Sequence, residues 1–121
     1  MAVSAVRGAT VARENSQQAI WDATEELLSA LIRENAIAQD EVVAAFFTMT
    51  PDLDAAFPAY AARRLGWTDV PLLGAVETPV PGTPRRMIRI LVEVERPTRQ
   101  KLRPVYLGET LSLRPDLAPP G

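Results

Sequence analysis

The alternation of hydrophobic and polar positions is most regular over residues 87–94, where aliphatic and β-branched side chains dominate. This pattern predicts a strand, because successive side chains of a strand point to opposite faces of the sheet. Arg89 falls on one face between Met87 and Leu91, and these apolar neighbours are expected to exclude water from its guanidinium. Arginine stays charged in proteins, and burying an unpaired charge is costly. We therefore predict that Arg89 is the centre of an anion-binding site. The opposite face is predicted to be core and carries Ile88, Ile90, Val92 and Val94.

Three further segments are predicted to be strands. Residues 3–11 alternate and place Arg7 among alanine and valine side chains. The nearly continuous apolar run at 42–49 is typical of a strand covered on both faces. Residues 70–77 form a third apolar run, in which a proline favours an edge position. Glu77 ends this run and would lie close to Arg89 if the two strands pair.

Two segments are predicted to be helices. The first begins at Asn15 or Ser16 and ends near residue 35. Its apolar residues recur at intervals of three and four. The second is capped by Asp52 or Asp54, has Pro58 in its first turn, and runs to residue 65 before a glycine. Single short turns of helix are expected at 39–41 and 100–105. The stripe of the first helix comprises Ile20, Thr24, Leu27, Leu28, Leu31 and Ile32.

The order of elements predicts the α+β fold class. It reads strand, helix, strand, helix, strand, strand, which suits one domain over residues 1–117 with a mixed sheet and both helices on one face. Residues 118–121 are expected to form a flexible tail. Since no third long helix is available, the other face of the sheet is expected to pack against other copies of the chain.

Composition excludes several kinds of chemistry. The chain of 121 residues is 47% hydrophobic, as in a folded domain, and contains neither cysteine nor histidine. Disulfides, thiolate nucleophiles, histidine bases and the common zinc sites are therefore excluded. A net charge of −2 disfavours non-specific binding of nucleic acid. The N-terminal residues do not resemble a signal peptide and no apolar run is long enough to span a membrane, so we expect a cytoplasmic protein.

The remaining candidates for chemistry are few. No phosphate-binding, nucleotide-binding, metal-binding or nucleophile motif is present, and neither a cofactor nor a metal is expected. The residues left can bind a small carboxylate and accept a hydrogen bond from one hydroxyl. A reaction driven by positioning and charge alone would suit them. These candidates are Arg7, Arg63, Glu77, Arg89 and Tyr106.

Along nearly its whole length the chain resembles the small, trimeric, non-helical class of chorismate mutase. No single matching stretch is specific, whereas the set in this order and at near-constant spacing is. The stretches are residues 6–10, 50–53, 57–59, 70–72, 88–89, 105–107 and 113–117. The resemblance implies a homotrimer built as a pseudo-α/β-barrel, with one site at each subunit boundary. It also implies the Claisen rearrangement of chorismate to prephenate, a step in the biosynthesis of phenylalanine and tyrosine, without a cofactor.

The resemblance also implies roles for individual residues. Arg89 would donate to the ether oxygen and to a carboxylate of the substrate. Arg7 would hold a carboxylate with the help of Tyr106, and Glu77 would accept from the ring hydroxyl. The backbone lining the pocket would be that of Leu73, Gly74, Ala75 and Val76; Phe57, Ala59 and Leu72 would pack on the ring system; and Arg63, Leu113 and Arg114 would lie near the mouth.

The chain departs from the family pattern at two positions, and two other functions are compatible with its residues. Gly74 stands where some members carry cysteine or serine, and Tyr60 stands where some carry lysine. We therefore expect activity with a raised KM for chorismate. One alternative is a trimeric imine or enamine deaminase of related fold. The other is a non-enzymatic oligomer that binds a small carboxylate, which would show thermal stabilisation by ligand without turnover.

Overall fold

Five strands form one mixed sheet in the computed structural model, which describes residues 1–117. The expected flexible tail at 118–121 lies outside the described residues. No helix in the described part is long and apolar enough to cross a membrane. The strands are β1 (Ala2–Val11), β2 (Val42–Met49), β3 (Leu72–Val76), β4 (Met87–Arg96) and β5 (Val105–Tyr106); the α-helices are α1 (Gln17–Asn35) and α2 (Ala59–Arg64); and short 3₁₀ helices span Gln39–Glu41, Gly108–Leu113 and Pro115–Leu117.

The strand order is β3-β2-β4-β1-β5. Strand β4 runs antiparallel to both of its neighbours, while β2 with β3 and β1 with β5 are parallel pairs. The predicted α+β class with a mixed sheet is thus confirmed. The conditional pairing of the Glu77 strand with the Arg89 strand is wrong, because β2 lies between β3 and β4. A parallel pair needs a crossover connection, and the segment containing α2 supplies it between β2 and β3.

Helix α1 begins as its sequence predicts. The Ser16 hydroxyl accepts a hydrogen bond of 3.1 Å from the backbone N–H of Ala19, which identifies Ser16 as the N-cap. Asn15 does not take part in a capping box. Its side-chain oxygen instead accepts from the backbone N–H groups of Asp54 and Ala55, which ties the start of α1 to the loop before α2.

Helix α2 and the segment after β4 depart from prediction. The N-cap of α2 is Pro58, because Asp52 and Asp54 are bonded elsewhere: Asp52 accepts from the backbone N–H of Arg86, and Asp54 from the Asn15 amide. The predicted short helix at 100–105 does not form. The backbone N–H of Gln100 donates to the Ser4 hydroxyl, and residues 105–106 belong to a strand.

Both helices pack on the same face of the sheet, as predicted. The aliphatic side chains of β4 on that face are fully buried, together with the apolar stripe of α1 except for Ile32, which is partly buried. Gly8 is required at the closest approach, because a Cβ there would lie 2.9 Å from Leu27 Cδ1 and 2.8 Å from the Val105 carbonyl oxygen. The other face of the sheet has no second layer in one chain. Phe46 and Thr48 of β2 are accordingly only partly buried. The prediction that this strand is covered on both faces is therefore wrong for the single chain.

Candidate active site

One row of paired residues crosses the open face of the sheet, the face opposite the helices. The register places Thr48 opposite Arg89, Arg89 opposite Ala9, and Ala9 opposite Tyr106. Side chains of directly paired residues share a face. The alternation within β5 agrees with this, because Val105 packs against the core and Tyr106 must then point the other way. Four strands therefore bring these residues to one level of the sheet.

Arg7 lies in the neighbouring row. It is paired with Leu91, which in turn is paired with Phe46, two residues along each strand from the row of Arg89. Arg7 is exposed in the single chain, and no described residue accepts a hydrogen bond from it. The two rows border a cavity of about 210 Å³. Its lining consists of Arg7, Gly8, Phe46, Thr48, Arg89, Ile90 and Leu91.

Glu77 reaches Arg89 from the far side of β2. Its backbone N–H donates to the Met49 carbonyl at 2.8 Å, which continues the ladder of β2 and β3 by one residue. Arg89 then donates to its carboxylate twice, from Nε to Oε2 and from Nη2 to Oε1, both at 2.6 Å. The Thr48 hydroxyl donates to the same carboxylate. The predicted closeness of Glu77 and Arg89 is thus present, although it arises across an intervening strand.

The environment keeps both partners of this pair ionised. Burial opposes ionisation of Glu77, but hydrogen bonds from Arg89 and Thr48 outweigh it and hold the pKa of Glu77 below its ordinary value. The hydrogen bonds to Glu77 raise the pKa of Arg89 against the opposing effect of burial, and the negative charge of Glu77 adds to this. The Arg89 side chain is 42% exposed. The predicted loss of water around this guanidinium is therefore only partial in a single chain.

The arrangement leaves positive charge and free donors directed at the cavity. A guanidinium has five N–H donors, and Arg89 uses two of them on Glu77. Two guanidinium groups stand against one buried carboxylate, which gives a local excess of one positive charge. In residues 1–117 no group of three or more acidic residues is arranged to hold a metal ion. The site can therefore bind carboxylates and donate a hydrogen bond to a third oxygen.

Arg114 lies near Tyr106 through the segment that follows β5. Its guanidinium donates to Asp116 at 3.0 and 2.9 Å, which raises the pKa of Arg114, and the Tyr106 hydroxyl contributes to the same shift. Leu113 beside it is partly buried. Leu113 and Arg114, two of the three residues predicted near the mouth of the pocket, thus lie in the segment after the strand that carries Tyr106.

The other predicted contacts lie apart from the Arg89 cavity. Leu73 and Ala75 share its face at the sheet edge, since they are paired with Phe46 and Thr48. Phe57 is 81% exposed and lies with Val76 at a separate apolar cavity of about 640 Å³. Among the remaining predicted contacts, Ala59 and Leu72 pack against the core, Gly74 is exposed in β3, and Arg63 is exposed on α2.

Thr48 is the residue that reasoning from the sequence missed. The run 42–49 is so uniformly apolar that it obscures which positions face the helices, and Thr48 is its one hydroxyl. A signal was nevertheless available. If the face of this strand that carries its single hydroxyl is taken as the open face of the sheet, Thr48 lies on the same face as Arg89. The direct pairing of Thr48 with Arg89 is not predictable from the sequence.

Comparisons with known proteins agree along nearly the whole chain. The family model for chorismate mutase type I matches residues 3–117. The chain is 47% identical over 117 residues to the chorismate mutase AroH of Thermus thermophilus, covering 95% of this chain and 96% of that protein. It is 38% identical over 120 residues to the chorismate mutase AroH of Bacillus subtilis, covering 98% and 94%. A solved chorismate mutase from Clostridium thermocellum superposes with a TM-score of 0.85 at 38% identity, covering 89% of this chain and 97% of that one.

Proposed function

The chain belongs to the chorismate mutase type I family and is a chorismate mutase, an isomerase of aromatic amino-acid biosynthesis, and from this premise we propose that Arg89 is its central catalytic residue. Neither a deaminase nor a non-enzymatic carboxylate-binding oligomer is favoured by the family membership. The observation that carries the proposal is the bidentate bond between Arg89 and Glu77. It fixes the direction of the guanidinium before the reaction begins.

The rearrangement asks for charge stabilisation and a held conformation. One C–O bond of chorismate breaks, one C–C bond forms, and negative charge develops on the ether oxygen. The donors that Arg89 does not use on Glu77 are two N–H groups on Nη1 and one on Nη2. We propose that they serve the ether oxygen and a neighbouring carboxylate. Because Glu77 already orients the fork, little reorganisation is needed as the charge develops.

Glu77 is proposed to accept from the ring hydroxyl of the substrate. An ionised carboxylate offers about four lone-pair positions. Arg89 occupies two of these and Thr48 occupies a third. One acceptor position remains, which matches a single substrate hydroxyl.

Arg7 and Tyr106 are proposed to hold the second carboxylate. Arg7 is exposed toward the same cavity, and Tyr106 stands level with Arg89 on the outer strand. Holding both carboxylates limits the rotation of the enolpyruvyl group, and this restriction of conformation is itself a large part of what such an enzyme supplies.

We further propose a homotrimer in which each site is completed by a neighbouring copy. A cavity of about 210 Å³ falls below the volumes of roughly 300–1,000 Å³ that enclose small ligands. The sheet face around it has no covering layer, and Phe57, Leu73 and Val76 expose apolar surface at the edge. The second wall is proposed to come from this edge of the adjoining subunit. We place the enzyme in the cytoplasm, since chorismate as a dianion crosses a bilayer unaided only at high cost.

Mixed trimers test the shared site directly. In the proposed trimer, one wall of each site carries Arg89 and the other is the edge with Phe57 from the adjoining subunit. Arg89→Ala damages the first wall, and Phe57→Asp damages the second at an exposed position where folding tolerates the change. After the two inactive variants are unfolded and refolded together, about a quarter of the sites should combine two intact walls, because each wall is drawn at random. Activity that appears only after co-refolding supports the proposal. Mixed trimers no more active than the separate variants would exclude sites shared between subunits.

A further inference from the structure

Strand β5 carries Tyr106 but has little backbone support of its own. It consists of two residues and, within residues 1–117, pairs with β1 alone, at the edge of the sheet. Strands this short are held mainly by what flanks them. The contacts on either side of Val105 and Tyr106 therefore decide where the Tyr106 side chain lies.

Asn35 holds the chain before β5. It is the last residue of α1, and it is buried. Its side-chain oxygen accepts from the backbone N–H of Arg103 at 2.7 Å, and its amide donates to the Arg103 carbonyl at 3.0 Å. The amide also donates to the Leu31 carbonyl at 3.0 Å. Both backbone groups of Arg103 are thus bonded to one side chain, three residues before Tyr106.

Thr110 holds the chain after β5. Its side chain is fully buried, and its hydroxyl lies 2.6 Å from the Leu107 carbonyl and 3.1 Å from the Ala9 carbonyl. The Ala9 carbonyl also accepts from the backbone N–H of Leu107 at 2.9 Å. Ala9 is the residue paired with both Arg89 and Tyr106. Thr110 therefore fixes the segment after Tyr106 to Ala9 of β1, the residue that lies between Tyr106 and Arg89 in the sheet.

We propose that Asn35 and Thr110 are positioning residues for the mutase reaction, which hold Tyr106 level with Arg89 from outside the site. The inference rests on the proposed role of Tyr106 in binding a substrate carboxylate. Neither residue touches the Arg89 cavity. Their effect on catalysis must pass through β5, and it should appear in the binding of chorismate more than in the chemical step.

Thr110 offers a test with matched controls. Thr110→Val keeps the shape but removes the hydroxyl, and we expect the KM for chorismate to rise about two- to tenfold with a smaller change in kcat. Thr110→Ser restores the hydroxyl and should restore the KM. Thr24→Val removes an equally buried hydroxyl that bonds only the Ile20 carbonyl within α1, and it should leave the KM unchanged. Thermal melting of each variant ensures that assays run on folded protein.

A double variant separates positioning from general loosening. If Thr110 acts through Tyr106, Thr110→Val should raise the KM in the native background and have no further effect in a Tyr106→Phe background. Independent, multiplying effects would overturn the inference, as would a KM for Thr110→Val no higher than that of Thr24→Val. A Tyr106→Phe variant with unchanged kinetics would instead overturn the proposed role of Tyr106 itself.

Discussion

Arg89 donates two parallel hydrogen bonds of 2.6 Å to Glu77, from Nε and Nη2, across the strand that separates their own strands. This pairing orients a planar fork rather than merely neutralising a charge. Its consequence is a guanidinium whose remaining N–H groups have a fixed direction.

Replacing Arg89 should damage the chemical step. We expect Arg89→Ala to lower kcat by about 10²–10³-fold, the effect typical of losing one preorganised donor to a developing oxyanion. Arg89→Lys should also be severely impaired, because an ammonium cannot bond both Glu77 oxygens and still direct a planar edge at the substrate. The measurement is the fall in chorismate absorbance. Arg13→Ala, which breaks an exposed ion pair with Asp22, is the control. A loss below tenfold for Arg89→Ala would rule out the proposed role.

Removing the Thr48 hydroxyl should loosen Glu77. Thr48→Val deletes a hydrogen bond that lowers the pKa of Glu77, so this pKa should rise and the acid limb of the activity profile should move to higher pH. We expect kcat/KM to fall about two- to tenfold, as for one hydrogen bond. Thr48→Ser should behave as the native enzyme. An unmoved acid limb in Thr48→Val would show that the Thr48 hydroxyl does not support Glu77.

The activity should be nearly independent of pH between about 6 and 9. The chain contains no histidine or cysteine, the side chains that most often change charge in this range, and the rearrangement itself requires no proton transfer to or from the enzyme. The measurement is kcat at saturating chorismate across this range in buffers of constant ionic strength. A bell-shaped profile centred there would reveal a titrating group that the mechanism does not include.

The stability of the fold should decline in acid, in part through Glu77. The folded pKa of Glu77 lies below its ordinary value of 4.5, so its contribution is complete above that pH and is lost as the pH falls through the lower folded value. The free energy of unfolding, measured in denaturant from pH 7 to pH 3, should therefore drop at the acid end. Glu77→Gln should show a shallower drop. An equal drop in both proteins would remove Glu77 from the explanation.

Gly8 should be intolerant of any side chain. A Cβ there would meet the Val105 carbonyl oxygen at 2.8 Å and Leu27 Cδ1 at 2.9 Å, and the backbone contact cannot move without shifting β5. We expect Gly8→Ala to cost about 1–3 kcal/mol of stability, as in other overpacked cores. Gly74→Ala is the control, because its Cβ would meet only the Phe47 carbonyl oxygen at an ordinary 3.7 Å. Equal melting temperatures for the two variants would contradict the close packing of β1 against α1.

Local pattern was sufficient for several elements. The alternation of residues 87–94 identified the buried face of β4, and the stripe of α1 together with Ser16 located that helix to within a residue. These features depend on periodicity and capping, which act over a few neighbouring residues. Arg7, Glu77, Arg89 and Tyr106 were candidates from their residue types and positions, and the family resemblance added a role for each. The family membership is confirmed. Their individual roles stay predictions.

Features that depend on distant partners were not accessible in the same way. Pro58 caps α2 because Asp52 and Asp54 bond to residues more than thirty positions away. Residues 100–104 do not form a helix because Asn35 and Ser4 bond their backbone, which overrides a local helical preference. Each of these outcomes depends on a partner that no local window contains.

The sequence by itself determined the order of the first four strands and the two α-helices, the core face of β4 and the presence of a charged arginine within an apolar strand, since these follow from side-chain chemistry and short periods. It did not predict strand β5. Only the tertiary structure decided that β2 separates the strands of Glu77 and Arg89 and that the Thr48 hydroxyl donates to the Glu77 carboxylate. The physical reason is that strand pairing depends on contacts between residues far apart in the chain, where many registers satisfy the same local pattern and the packing of the whole sheet selects one.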